Sequence, residues 1–201
     1  MKLYYSPGAC SLSAHIVACE AALPLDLVKV DLKSKQTETG ADFLQINPNG
    51  YVPALVLDDG NKLTEVPAIV QYLADQAPDK KLAPAPGLFE RYHLQQWLNF
   101  ISTEIHKSFS PLFDASAPQA AKDSAIAKLG VRLGRVAVQL SEQSFLLGEE
   151  FSVADAYLFV TLSWGSYVNF DIGQWPELAR YVEKISARPA VQKAMREEGL
   201  I

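Results

Sequence analysis

A cysteine directly after a Pro7-Gly8-Ala9 turn, and directly before a run of helical spacing, is the first position in this 201-residue chain with the makings of a reactive group. At the head of a helix the unpaired N–H groups and the helix dipole favour negative charge. A free thiol gives up its proton near pH ~8.5, and such placement brings that value toward or below neutrality. Cys10 is therefore expected to hold a substantial thiolate fraction, the alternative being a small buried residue that happens to open a helix. Cys19 lies deep in the same predicted helix and reads as structural. Along a helix the two α-carbons stand roughly 13 Å apart, beyond the about 7 Å that a disulfide spans. Each thiol then stands alone, as in a reducing compartment.

Other candidate positions offer backbone or charge. Asn47-Pro48-Asn49-Gly50 leads through Val52-Pro53 into a strand, where proline gives no N–H to a ladder. A cis bond at Pro53 would turn the Val52 N–H and C=O outward to pair with another extended backbone, as an added strand does; a plain loop end is the alternative. Glu65 opens a helix whose first turn accommodates Pro67. There a ligand carboxylate can meet the Val66 N–H while Glu65 takes an ammonium, or Glu65 simply answers the helix dipole.

Asn99, Thr103 and His106 recur at i, i+4 and i+7, which puts them on one face of a helix otherwise built on Leu94, Trp97, Leu98 and Ile101, with Lys107 alongside. That stripe is either solvated surface or one wall of a site. Phe109 and Phe113, four apart, and Tyr157 and Trp164, seven apart, each face one way on a helix and are candidates for an aromatic substrate pocket. Plain core is the commoner fate of helical aromatics. His15 and His93 offer no metal spacing with cysteine or with each other, and no metal is expected.

The elements that must position these residues fall into two groups. Leu3–Tyr5 reads as a strand, residues 11–22 as a helix and Leu25–Val30 as a second strand, a βαβ unit with a parallel pair. A short helix near Asp42–Gln45 follows. Two further strands, Val52–Leu57 and Lys62–Thr64, flank Asp58-Asp59-Gly60-Asn61, a strong hairpin signal. Ala68, Ile69, Tyr72 and Leu73 mark another helix. Pro78, Pro84, Pro86 and Gly87 then interrupt all periodicity. Beyond them the spacing is helical over 88–109, 120–141, 153–168 and 176–187, with a short tail helix before Gly199. The fold class is α/β plus all-α: a sheet domain over 1–80, a linker over 81–86 and a helical bundle over 87–201. Ser152-Val153-Ala154-Asp155 reads as a capping box with Phe151 as its hydrophobic staple.

Hydrophobic residues are 49% and charged residues 20%, enough apolar surface for a proper core. The 18 Lys and Arg against 23 Asp and Glu leave a net charge of −5, with no general positive field for nucleic acid or an anionic bilayer. The start reaches a turn before any secretory apolar run forms, and no stretch approaches membrane-spanning length, so a cytoplasmic protein is expected.

Four motifs taken together, Tyr5-Ser6-Pro7-Gly8-Ala9-Cys10-Ser11, Asn47-Pro48-x-Gly50-x-Val52-Pro53, Leu63-Thr64-Glu65 and Phe151-Ser152-Val153-Ala154-Asp155, resemble the bacterial beta-class glutathione transferases, and the likeness covers the whole chain. Residues 90–102 and 106–113 are most similar to the members encoded with biphenyl-degradation pathways. The resemblance implies a thioredoxin-like N-terminal domain, an all-helical C-terminal domain and a homodimer with active sites bordering the subunit interface. It further implies that Cys10 lies beside the glutathione sulfur, that Lys35 meets the glycyl end, and that Val52 and a cis Pro53 clamp the cysteinyl unit. Glu65 and position 66 then anchor the γ-glutamyl group; here position 66 is valine, where members often carry a small or hydroxylic residue, so only its N–H can serve. Asn99, Thr103, His106 and Lys107 match the stripe that borders the same cleft. Cys19 stands where relatives commonly show arginine, which puts a structural ion pair of the class in doubt.

Glutathione has two carboxylates, one ammonium and one thiol, which Lys35 or Lys107, Glu65, helix-start N–H groups and the Cys10 and His106 pair would answer. The expected reaction is attack of the glutathione thiolate on a small electrophile, often aromatic or halogenated, with displacement of halide where there is one. Two other functions compete: a monothiol glutaredoxin-like oxidoreductase acting through Cys10, with Ser13 where Cys-x-x-Cys would have its second cysteine, and a non-catalytic binder of apolar ligands.

Overall fold

The computed structural model describes residues 1–201, which divide into two compact units: Met1–Ala85 with Ala187–Ile201, and Pro86–Ser186. The first unit contains β1 (Lys2–Tyr5), α1 (Ser11–Glu20), β2 (Asp26–Asp31), β3 (Gln36–Thr37), β4 (Ala54–Val56), β5 (Lys62–Thr64) and α2 (Val66–Asp75). The second contains α3 (Phe89–Phe100), a π-helical segment Ile101–His106, α4 (Lys107–Phe113), α5 (Gln119–Glu142), α6 (Val153–Ser163) and α7 (Pro176–Ser186). A last helix, α8 (Pro189–Glu197), returns to the first unit. No helix is long and apolar enough to cross a membrane.

The strands form one sheet in the order β3-β2-β1-β4-β5. β1 and β2 run parallel, as the βαβ spacing requires, whereas β4 is antiparallel to both β1 and β5. This mixed sheet with its helices is the thioredoxin-like half. Tyr4, Val30, Phe43, Val52 and Ala54 pack into one apolar cluster. α1 is buried from Ser11 through Ala18 and packs against both α2 and α8. β3, only two residues long, leaves no alternation in the sequence from which to find it.

In the helical unit α6 is buried all round from Val153 to Leu162, so it is the axis about which the other helices pack. Its N-terminus carries the expected capping box. Asp155 Oδ2 accepts the Ser152 N–H at 2.9 Å and the Ser152 hydroxyl at 2.7 Å, while Oδ1 accepts the Leu146 N–H and the Tyr181 hydroxyl, both at 2.9 Å. Burial pushes the Asp155 carboxyl upward, against the pull of those four donors. Four bonds on one buried carboxyl make this motif a tie between α6, α7 and the loop before α6.

Two expectations need amendment. The helix read over 88–109 is broken by the π segment and then runs through Pro111 to Phe113. The tail helix, assigned by sequence to an 87–201 domain, belongs by packing to the sheet unit. Polar contacts too distant in sequence to be foreseen explain why. Arg188 holds Glu20 through two hydrogen bonds of 2.6 and 3.0 Å. Glu198 accepts the Gly8 N–H at 3.0 Å and lies 3.1 Å from His15 Nδ1, while Glu197 lies 2.8 Å from His15 Nε2.

His15 is only 2% exposed. Burial by itself opposes a charge on the ring, but the hydrogen bonds with Cys19, Glu198 and Glu197 outweigh it and raise the pKa from 6.5 to about 10. A pKa raised by folding stabilises the fold fully below the unfolded value of about 6.5, and the contribution disappears as the pH climbs toward the folded value. Denaturant unfolding is therefore expected to show stability falling by roughly 3–5 kcal/mol between those limits. His15→Gln should remove most of that slope, and an equal slope in wild type and variant contradicts the assignment.

Candidate functional site

The sheet register decides which residues meet in the first unit. Tyr4 of β1, Ala54 of β4 and Thr64 of β5 stand side by side. The chain leaving β1, the chain entering β4 and the chain leaving β5 therefore emerge at one end of the sheet. β2, parallel to β1 with Lys29 opposite Tyr5, ends there too. Cys10, Lys35, Val52-Pro53 and Glu65-Val66 are thus gathered on the same rim from four separate parts of the sequence.

Cys10 is the N-cap residue of α1, as the turn-helix junction predicts, and it is partly buried. Its thiol donates to the Val52 carbonyl at 3.3 Å, which joins two of the expected site residues directly. The turn that presents it is braced from inside: the Ser6 N–H donates to Ser11 Oγ, whose hydroxyl donates back to the Ser6 carbonyl, each at 3.2 Å. Gly8, at φ 70°, uses a conformation that side chains resist, and its N–H is the one held by Glu198. The Val52–Pro53 bond is cis. Asn47, buried beneath that loop, donates from Nδ2 to the Tyr51 carbonyl at 2.7 Å.

Glu65 caps α2 with φ 67° and ψ 122°, a left-handed conformation costing about 1–3 kcal/mol for a residue with a side chain. The helix holds it there through the Ala68 and Ile69 N–H groups, which both bond to the Glu65 carbonyl, at 3.1 and 3.0 Å. Its exposed side chain makes no capping bond, leaving the carboxylate for something outside the chain. The Val66 N–H is a first-turn donor without a helical acceptor, while the Val66 side chain is buried. Lys35, at φ 58°, donates from Nζ to the Gly50 carbonyl at 2.9 Å and lies 5.9 Å from the Tyr51 ring centre.

In the helical unit the polar stripe is not one face. Asn99, Thr103 and Lys107 are exposed, but His106 is turned half inward. The cause is the π segment, whose wider turn rotates His106 out of the line that an unbroken α-helix would keep. The Thr103 hydroxyl donates to the Asn99 carbonyl at 3.0 Å. Glu104, in the same segment, is tied to Arg132 at 2.7 Å and Lys128 at 3.6 Å, which anchors the π turn to α5.

His106 reaches an aromatic cluster that contains all four residues proposed as a pocket. Its ring centre is 4.7 Å from that of Trp164, which in turn lies 5.7 Å from Phe109 and 5.8 Å from Phe113, all edge-on. Phe109 and Tyr157 have the burial of core residues, and Trp164 is nearly as deep; Phe113 is 51% exposed and alone shows much ring to solvent. Tyr157 adds a function that aromatic spacing cannot reveal, because its hydroxyl lies 2.6 Å from His106 Nδ1. Burial chiefly, and the Lys107 charge secondarily, lower the His106 pKa to about 4, so the ring is neutral at physiological pH. In the tautomer where Tyr157 donates to Nδ1, the proton of the neutral ring sits on Nε2, which is then a directed donor.

Comparison with known proteins adds an independent line. Residues 8–76 match the family model described as glutathione S-transferase, N-terminal domain, and residues 100–189 match glutathione S-transferase, C-terminal domain. Among solved structures, a ternary complex of BphK, a bacterial GST, is 60% identical, with TM-score 0.98 and complete coverage of both chains. A beta-class glutathione S-transferase of Sphingomonas chungbukensis is 48% identical, with TM-score 0.97 and complete coverage of both. A sphingomonad glutathione S-transferase complexed with glutathione is 47% identical, again with TM-score 0.97 and complete coverage.

The ring of His106 should stay neutral in solution. In an NMR titration its resonances are expected to hold constant from pH 8 down through the ordinary histidine range and to move only toward pH ~4. Lys107→Ala should raise the midpoint only slightly, since burial is the larger cause; a midpoint near the ordinary histidine value contradicts the buried, Tyr157-bonded placement.

Proposed function

Because the chain belongs to the glutathione S-transferase family, we propose that it binds glutathione at the Cys10 end of its sheet and conjugates it through its sulfur to small electrophiles, often aromatic or halogenated. The observation that carries this reading is the strand register, which brings Cys10, Lys35, Val52-Pro53 and Glu65-Val66 to one end of the sheet. The Val52 N–H and C=O pair with the cysteinyl unit across the cis Pro53 bond. Glu65 takes the γ-glutamyl ammonium, the Val66 N–H takes its carboxylate, and Lys35 takes the glycyl carboxylate. Cys10 lies beside the sulfur, since its own sulfur already touches the Val52 carbonyl.

In the reaction the glutathione thiol gives its proton to water and the thiolate attacks carbon. A sulfur–carbon bond forms as the carbon–halogen bond breaks, and halide leaves with the electron pair. Binding turns the encounter into an oriented one and supplies much of the rate. Within the helical unit, His106 is the candidate hydrogen-bond donor toward anionic sulfur, through Nε2, with Tyr157 as its positioning residue. Asn99, Thr103 and Lys107 offer exposed polar groups for the same peptide, while Phe113 supplies exposed apolar surface for the electrophile and the buried Trp164, Phe109 and Tyr157 back it from the core.

The placement of Cys10 also favours a second activity. A thiolate at a helix start can attack a glutathione disulfide, forming a Cys10–glutathione disulfide and releasing the other glutathione thiolate, with no outside oxidant. Exposed Phe89 and Tyr92 at the head of α3, with ring centres 6.3 Å apart, support a homodimer, as aromatic rings are enriched in such interfaces.

Steady-state kinetics with glutathione and an activated chloroarene test the reading. Glutathione-dependent chloride release is expected. Glu65→Gln should raise KM for glutathione by about 10- to 100-fold, the loss of one charge-assisted bond. Cys10→Ala should abolish disulfide exchange and leave conjugation within about tenfold, since the cysteine attends the sulfur without being the attacking group. Absence of both turnover and glutathione binding overturns the proposal.

A further inference from the structure

Contrary to the expectation that His15 has no metal spacing with cysteine, His15 and Cys19 lie four residues apart on α1 and therefore on one face, against which α8 brings Glu197. One ring nitrogen of His15, the Cys19 sulfur and one Glu197 oxygen all lie within 4.8 Å of one another. His15 Nε2 is the nitrogen turned toward Glu197, at 2.8 Å from Oε2, and the other, Nδ1, is taken by Glu198 Oε1 at 3.1 Å. The Glu198 side chain is wholly buried. None of these groups takes part in glutathione binding or transfer as derived above, and eight residues of helix lie between Cys10 and Cys19.

We propose that His15, Cys19 and Glu197 form a binding site for a divalent cation of the Zn²⁺ type, with Glu198 as the outer carboxylate that orients the imidazole. The donors are one nitrogen, one sulfur and one oxygen, a set suited to zinc and unsuited to calcium or magnesium, which require oxygen ligands. A histidine that gives Nδ1–H to a buried carboxylate while Nε2 faces a second carboxylate has the orientation metal-bound imidazoles use. Zinc bond lengths of about 2.0–2.3 Å imply ligand separations of roughly 3.3–3.8 Å. An ion would require Glu197 Oε2 to draw back from its 2.8 Å contact with His15 Nε2 and the three ligand atoms, now within 4.8 Å of one another, to settle at that separation. Glu197 is 42% exposed, so an ion can enter from solvent and keep a water in the fourth position. As the dication enters, one proton leaves His15 Nε2 and one leaves the Cys19 sulfur, both to solvent, and the charge of the cluster is unchanged. The ion would clasp α1 to α8 without any share in the transfer chemistry, for which the family indicates no metal cofactor.

The test uses the full-length protein stripped of metal with a chelator and titrated with Co²⁺, whose bond to thiolate absorbs in the near ultraviolet. One equivalent of Co²⁺ is expected to produce that band, and Zn²⁺ to displace it. Cys19→Ser should abolish the band and weaken Zn²⁺ binding at least tenfold, while Cys10→Ser leaves both intact. Glu198→Gln should weaken binding by about 10- to 100-fold, as loss of an outer carboxylate does. Zn²⁺ should also raise the unfolding temperature of the wild type and not that of Cys19→Ser. No band in the wild type, a band that survives Cys19→Ser, or one that disappears with Cys10→Ser overturns the site.

Discussion

The antiparallel pairing of β4 with β1 is the constraint from which the rest follows. With Ala54 opposite Tyr4, the start of one strand lies beside the end of the other, and the Cys10 turn and the Val52–Pro53 bond must meet. Shifting that pairing by a single residue would turn Tyr4 or Ala54 out of the core cluster they share with Phe43 and Val52, at a cost of several buried apolar side chains. Register is therefore enforced by packing, and the hydrogen bond from the Cys10 thiol to the Val52 carbonyl is its consequence. β5 extends the same logic to Glu65. The rim is a by-product of the core, which is why a strained backbone at Glu65 can persist there.

Two histidines, His15 buried and His106 half-buried, show how the same penalty yields opposite charge states. Burial disfavours the imidazolium at both. At His15 hydrogen bonds with Cys19, Glu198 and Glu197 overcome it, and the ring carries charge. At His106 no carboxylate is in contact, Lys107 adds repulsion, and the ring is neutral and hydrogen-bonded to a phenol. One is a clasp between helices; the other is a neutral ring held against a phenol. Both states come from what surrounds the ring, and neither is visible in the residue type.

Much of this architecture was legible in local chemistry. The Asp58–Asn61 turn announced its hairpin, the Pro-Gly turn announced a cysteine at a helix start, and Ser152 with Asp155 announced a helix N-terminus that the structure places where expected. Each is a signal confined to a few consecutive residues. What escaped depends on long-range geometry. Nothing near Ile101 marks a π turn, because its extra residue is stabilised by Glu104 reaching α5. The helix at the end of the chain reads as one more bundle helix until Glu198 is seen to grip His15 and Gly8. Tyr157 shows its ring in the sequence pattern and its hydroxyl role only in space.

The central claim is that one end of the sheet receives glutathione along its whole length. Backbone amide NMR of the labelled protein, titrated with glutathione, examines that claim most directly. Saturable shifts concentrated at Cys10, Lys35, Val52 and Glu65-Val66 are the result this account requires. Binding that leaves those amides unmoved and perturbs another part of the sheet unit would contradict it.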